Sequence, residues 1–392
     1  MFVLLILIFM TFVVLGLPNV FGSAWPAMYG MFGVPVASAG ILSMIFGGST
    51  VIGVLLSDKF INRFGSRNVT LFSLLIAAIS LIGFAFSHAF WMLAFWNIPL
   101  GFGLGFIDAA INNVVANHYE TKHMNWLHAF WGVGASIGPM IMSLFLAREN
   151  NWQAGYGAVG IIYFVFIGIF MLTLKLWRVV VPVKADVEVS HPKSKSAQQL
   201  MTIPGVKYSL FIFFAYCALE ASVGLWASTY LVSVRNLAEE TAAFWLALYF
   251  LGITVGRFMA GFLTKLLKNR QLILVGVGLI AGGIILLLLP IPENFLLVAL
   301  FLIGFGCAPI FPTLIHETPL NFGNENSQAI IGMQMGFAYI GAMLMPALFG
   351  VIAARTGHDL LPYYLGGFLV LMILMLKVLY QNVGDVMDDE CN

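Results

Sequence analysis

Charge is scarce in this chain: only 9% of its 392 residues are Asp, Glu, Lys or Arg, and 61% are hydrophobic. A soluble domain needs a charged, hydrated surface, and this composition cannot supply one; a mean hydropathy of +0.97 points to lipid as the solvent. The few charges nearly cancel at a formal +1, which excludes the basic footprint of a nucleic-acid partner. Three cysteines, Cys217, Cys307 and Cys391, stand far apart, two of them inside apolar runs. That spacing excludes a disulfide framework and a metal site, and no cofactor motif is found. No Gly-x-x-x-x-Gly-Lys-Ser/Thr run occurs either, which argues against a nucleotide-driven pump.

Long apolar runs are what the chain does have. A helix needs about 20 mostly apolar residues to cross a bilayer. Twelve such stretches occur, six before a polar break (2–29, 36–56, 69–86, 90–115, 126–146, 155–176) and six after it (208–234, 241–263, 272–289, 295–315, 329–353, 361–380). The first starts without a basic leader and is read as a span rather than a cleaved signal. An even number places both termini on one side. With the termini cytoplasmic, the inner segments hold Lys59, Arg63, Arg67, Lys122, Lys175, Arg178, Lys184, Lys193, Lys195, Lys207, Lys265, Lys268, Arg270 and Lys377. Only Arg148, Arg235 and Arg355 fall outside. Basic residues are retained on the cytoplasmic side, so the termini are expected there, in the cell membrane. The expectation is an all-α membrane protein of two six-helix bundles, residues 1–178 and 201–392, joined by a cytoplasmic linker over 179–200.

An internal repeat supports two halves. Asn19 to Tyr29 matches Glu220 to Tyr230 with Trp25 opposite Trp226; Gly103-Leu-Gly105 pairs with Gly304-Phe-Gly306, and Gly134 to Gly138 with Phe337 to Gly341. Repeated halves place a binding site at their interface near the midplane.

Polar residues within the spans are the candidate site. Asp108 and Glu220 are carboxylates deep in apolar helices, costly there as unpaired anions and suited to taking up and releasing a proton. Asn112 lies one turn from Asp108, with Asn113 beside it, and Asn125, His128 and Trp131 recur at three-residue steps on span five. Carboxylate, amide, imidazole and indole together suit a sugar, whose hydroxyls need polar partners while its C–H face packs on a ring. The second half offers Glu220, Trp226, Tyr230, Thr313 and Gln334, the last aligned with Trp131 by the repeat. Trp226 reads equally as an interfacial belt residue. Pro309 and Pro312 are expected to break span ten where backbone lines a cavity. Arg257 reads as a gate pairing with an acid or with helix-end carbonyls, or as a side chain snorkelling to the interface.

The loop Gly53-Val-Leu-Leu-Ser-Asp58-Lys-Phe-Ile-Asn-Arg63-Phe-Gly65-Ser-Arg67 resembles the signature loop between the second and third spans of the major facilitator superfamily. Asp108 to Asn113, Asn125 to Gly134, Glu220 with Trp226, Gly252 to Gly261, and Gly304 to Gly306 with Phe311 and Pro312 resemble its fucose, glucose and hexose proton-symporter branch. That resemblance implies a major facilitator fold and monosaccharide uptake driven by protons through alternating access, with no enzymatic activity. It implies proton coupling at Asp108 and Glu220, and gating by Asp58, Arg63, Arg67 and Arg257. Substrate contacts would come from Asn19, Trp25, Asn112, Asn113, Asn125, His128, Trp131, Trp226, Tyr230, Thr313 and Gln334. The fucose permease pattern has an acid within span one, where this chain has Asn19, natural or engineered. A rival reading is a proton-driven exporter of drugs or metabolites, suggested by Gly132, Gly134, Gly138 and Pro139. The expected partners are a small-molecule substrate, protons and the lipid bilayer, with the protein a monomer.

Overall fold

The computed structural model describes residues 2–119, 121–148, 151–179, 196–264 and 266–389. Most of the expected linker, residues 180–195, lies outside that set, as do Lys265, Cys391 and the side chains of Lys122, Asn125 and Arg178. Among the described residues eleven helices are long and apolar enough to cross a membrane. One of these, Ser38–Ala85, is folded back at Gly65, whose φ of 78° only glycine adopts without strain, so it counts as two spans and the total is twelve. The spans are Phe2–Met28 (one), 38–64 and 66–85 (two and three), Phe90–His118 (four), Thr121–Leu146 (five) and Trp152–Leu172 (six). The second six are Val206–Arg235, Glu239–Leu263, Asn269–Leu288, Asn294–Phe322, Asn324–Thr356 and Leu361–Asp389 (seven to twelve). A capped turn of helix, Ala197–Leu200, closes the end of the stretch expected to be linker.

Packing shows the repeat residue by residue. A Cβ on Gly53 would meet the Phe102 carbonyl, and one on Gly105 the Thr50 carbonyl; 199 positions later Gly252 faces the Phe301 carbonyl and Gly304 the Tyr249 carbonyl. Spans two and four thus lock as spans eight and ten do, backbone against backbone. The register differs from the sequence match, which set Gly103 opposite Gly304: contact pairs Gly105 with Gly304. By the same register Asp58 corresponds to Arg257, each five residues after its glycine. Gly134 and Gly138 receive the Val13 and Leu17 carbonyls of span one, so their small size serves packing within the first bundle.

Two expectations about helix continuity are corrected. Span ten does not break at Pro309 and Pro312; it runs unbroken through both. Its neighbours hold it, with the Tyr216 hydroxyl donating to the Cys307 carbonyl at 3.1 Å. Span one, expected to be continuous, divides into Phe2–Gly16 and Phe21–Met28. Pro18 has no N–H to continue the ladder, and the chain turns there with the Asn19 backbone N–H and side chain both donating to the Gly16 carbonyl, at 3.2 and 2.9 Å.

The bundles meet at the end away from the Asp58–Arg67 loop. There Gly22 lies on the Gly224 carbonyl, Gly40 on Ala347 and Gly350 on the Ala37 carbonyl, leaving no room for a side chain. Among the described residues two hydrogen bonds join the bundles: Ser143 Oγ to the Glu240 carbonyl at 2.7 Å, and Arg257 Nη1 to the His128 carbonyl at 3.3 Å. The first is at the far end and the second in the loop-side half of spans five and eight, while Asp58 and Arg63 themselves are exposed.

Candidate functional site

Between the bundles lies a cavity of about 450 Å³. The break in span one sets Asn19 on its wall, and non-helical backbone at membrane depth is tolerated where it lines such a space. Asn97, Leu100 and Leu104 line it from span four, Trp131 from span five, and Cys217, Glu220 and Gly224 from span seven. The last set recurs at three- and four-residue steps, as one helix face must. Most of the remaining wall is apolar, including Phe46, Phe84, Phe250 and Met343.

Arg257 organises the centre. Its guanidinium is 3.9 Å from the Glu220 carboxylate, 5.7 Å from the Trp131 ring, and bonded to the His128 carbonyl. A residue of span eight therefore ties an acid of its own bundle to an aromatic plate of the other. Tyr249, also on span eight, donates to the Glu220 carbonyl oxygen at 3.1 Å.

Asp108 continues the face of Leu100 and Leu104, about 6 Å further along span four at 1.5 Å per residue. Its carboxylate accepts from Asn112 Nδ2 at 3.0 Å, and the same nitrogen donates to the Asp108 carbonyl at 2.9 Å. Asn112 Oδ1 is buried without a partner. Tyr339 lines the cavity from span eleven.

The other candidates lie elsewhere. Trp25 and Trp226 are fully buried and donate to the Val36 and Pro346 carbonyls at 2.8 and 2.7 Å, packing roles away from both cavity and lipid. Tyr230 donates to the Leu287 carbonyl and receives Arg235. Gln334 is satisfied inside its own bundle by Ser209 and Thr318, and Thr313 is buried off the cavity. His128 is exposed and meets Phe12 edge-on; Asn113 is exposed and accepts from Asn117. Asp58 makes no ion pair among the described residues, Arg63 lies over Phe64, and Arg67 donates to Asn68. Sequence reasoning passed over Ser43, Thr50 and Asn97; the last, an amide in an apolar helix, carried the same signal as Asp108.

The profile of the Major Facilitator Superfamily matches residues 4–316 and 209–385. The chain belongs to that superfamily. It is a multi-pass membrane protein, and the superfamily is one of transporters. It is 23% identical over 355 residues to Bypass of stop codon protein 6 of Saccharomyces cerevisiae, covering 80% of this chain and 69% of that one. It is 23% identical over 273 residues to the glucose/mannose transporter GlcP of Bacillus subtilis, covering 66% of this chain and 65%, under two thirds, of that one. Among solved structures, a mutant of the peptide transporter POT in complex with alafosfalin superposes with a TM-score of 0.75 at 16% identity, over 97% of this chain and 94% of that one. This likeness concerns the fold alone.

Proposed function

We propose that this protein is a proton-coupled symporter of a monosaccharide, working by alternating access. The observation that carries the reading is the cavity between the bundles, lined by the Trp131 indole and two asparagines from one bundle and a charge-balanced Glu220 from the other. An aromatic plate beside neutral hydrogen-bonding groups suits a polyhydroxyl ring. The Bacillus relative, a glucose/mannose transporter, supports the same substrate class. Asp108 and Glu220 are the acids proposed to exchange protons. Residues 1–178 and 201–392 act as two rocking bodies joined by 179–200, in a monomer with both termini cytoplasmic in the cell membrane. The side-chain-free seam then closes the outer end, and Asp58 with its basic neighbours latches the inner end in the alternate state. Proteoliposomes given a panel of hexoses, with and without an imposed proton gradient, test the proposal. Gradient-driven accumulation of a hexose is expected; export of hydrophobic compounds, or no hexose movement, overturns it.

A further inference from the structure

Three polar groups on the first bundle's cavity wall have their hydrogen-bond polarity set by their own helices. Asn97 is 5% exposed, and its Nδ2 donates to the Leu93 carbonyl at 3.1 Å. Asn19 Nδ2 donates to the Gly16 carbonyl, and the Thr50 hydroxyl to the Phe46 carbonyl at 2.9 Å. Reversing either amide would set two oxygens against each other, so each amide must turn its nitrogen to the helix. What remains for a ligand is Asn97 Oδ1, Asn19 Oδ1 and the Thr50 oxygen, none with a donor among the described residues. Facing them, Glu220 has one carboxylate oxygen engaged by Arg257 at 3.9 Å, and a carboxylate only accepts. Donors line the cavity too, Ser43 and the Trp131 indole from the first bundle and Tyr339 from span eleven, with the Tyr156 hydroxyl buried behind the lining, but none of them sits among the three fixed acceptors of Asn97, Asn19 and Thr50.

We propose that Asn97, with Asn19 and Thr50, forms an acceptor wall opposite Glu220 that reads the hydroxyl hydrogens of the substrate, so the site selects ligands that donate. Asn97 is the specificity-determining residue of this wall. The inference rests on the monosaccharide reading for its ligand but on the wall's polarity for its content. A buried acceptor left without its donor costs the desolvation of that group, so analogues lacking one hydroxyl bind at least ~10-fold more weakly.

Calorimetric titration of the purified protein with glucose, galactose and mannose, and with their deoxy and deoxyfluoro analogues, provides the test. Fluorine retains the size of a hydroxyl and cannot donate. At one or more ring positions the deoxy and deoxyfluoro analogues are expected to lose affinity alike, by ~10-fold or more. Asn97→Leu is expected to abolish that discrimination at one position; if it fails to fold, Thr50→Val and the ligand series on the unaltered protein stand in. Fluoro analogues that bind like their parents show a wall that donates, and overturn the proposal. So does a folded Asn97→Leu variant that discriminates unchanged at every position. Inositol and its deoxyfluoro analogue separate the two ideas. If no hexose binds but inositol does and its fluoro analogue does not, the monosaccharide reading falls and the acceptor wall stands; if neither class binds, both fall.

Discussion

Replacing Arg257 by Gln strands Glu220, and the cost can be worked from the geometry. At 3.9 Å the pair attracts by about 4 kcal/mol at an effective dielectric near 20. Desolvation of both ions offsets much of that in the intact protein, but removing one partner leaves an uncompensated charge, worth about 3 to 5 kcal/mol where burial is complete. Arg257 and Glu220 side chains are 17% and 21% exposed, which favours the lower end. Loss of the Trp131 face and of the 3.3 Å bond to His128 adds about 1 kcal/mol. Arg257→Gln should therefore lose about 3 to 4 kcal/mol in equilibrium unfolding of the purified protein in mixed micelles. Adding Glu220→Gln removes the stranded charge, so the double variant should recover about 2 kcal/mol, a coupling that a double-mutant cycle measures directly. A double variant no more stable than the single refutes the reasoning.

Asp108→Asn resembles a permanently protonated Asp108, so the variant should exchange substrate across the membrane yet fail to accumulate it on a proton gradient; accumulation at the unaltered level in proteoliposomes removes Asp108 from coupling. Gly22→Leu puts a side chain where the Gly224 carbonyl lies, and should hold the seam apart, raising maleimide labelling of Cys217 from the outer side and abolishing uptake; unchanged labelling counts against the seam as a gate. Asp58→Asn should leave this arrangement untouched, since Asp58 is unpaired in it, and weaken the alternate one, shifting cysteine accessibility toward the inner side. Asn19→Asp replaces the donor to Gly16 by a group that donates only when protonated, so transport should fall as pH rises between 5 and 8; identical profiles for both versions would make Asn19 a packing residue.

The twelve spans were legible because hydropathy over 20 residues reports directly on lipid burial, and the Gly65 reversal because its loop is short and charged. What pattern could not give was which way a polar side chain is spent. Trp226 and Gln334 look alike in sequence, as polar groups in apolar helices, yet one donates to Pro346 and the other to Ser209 and Thr318, leaving nothing for the cavity. Arg257 looked like a cytoplasmic-end residue by its neighbours Lys265 and Arg270, but its long side chain reaches Glu220 and Trp131. The break in span one was written in Pro18, and the unbroken span ten shows why proline alone does not decide: at Pro309 and Pro312 the neighbouring helices hold the ladder.

The paired glycine contacts carry a consequence for mutational tolerance. Gly53, Gly105, Gly252 and Gly304 each receive a carbonyl of the facing helix where a methyl group would lie, so even alanine must push two backbones apart, and the harm falls on assembly of each bundle rather than on substrate handling. A scan of every position, scored separately for surface abundance and for uptake, should show intolerance at these four in the abundance channel, as two peaks recurring 199 residues apart. Positions 58 and 257, which share that spacing but bear opposite charges, should depart from the echo, each sensitive in the uptake channel to a different replacement.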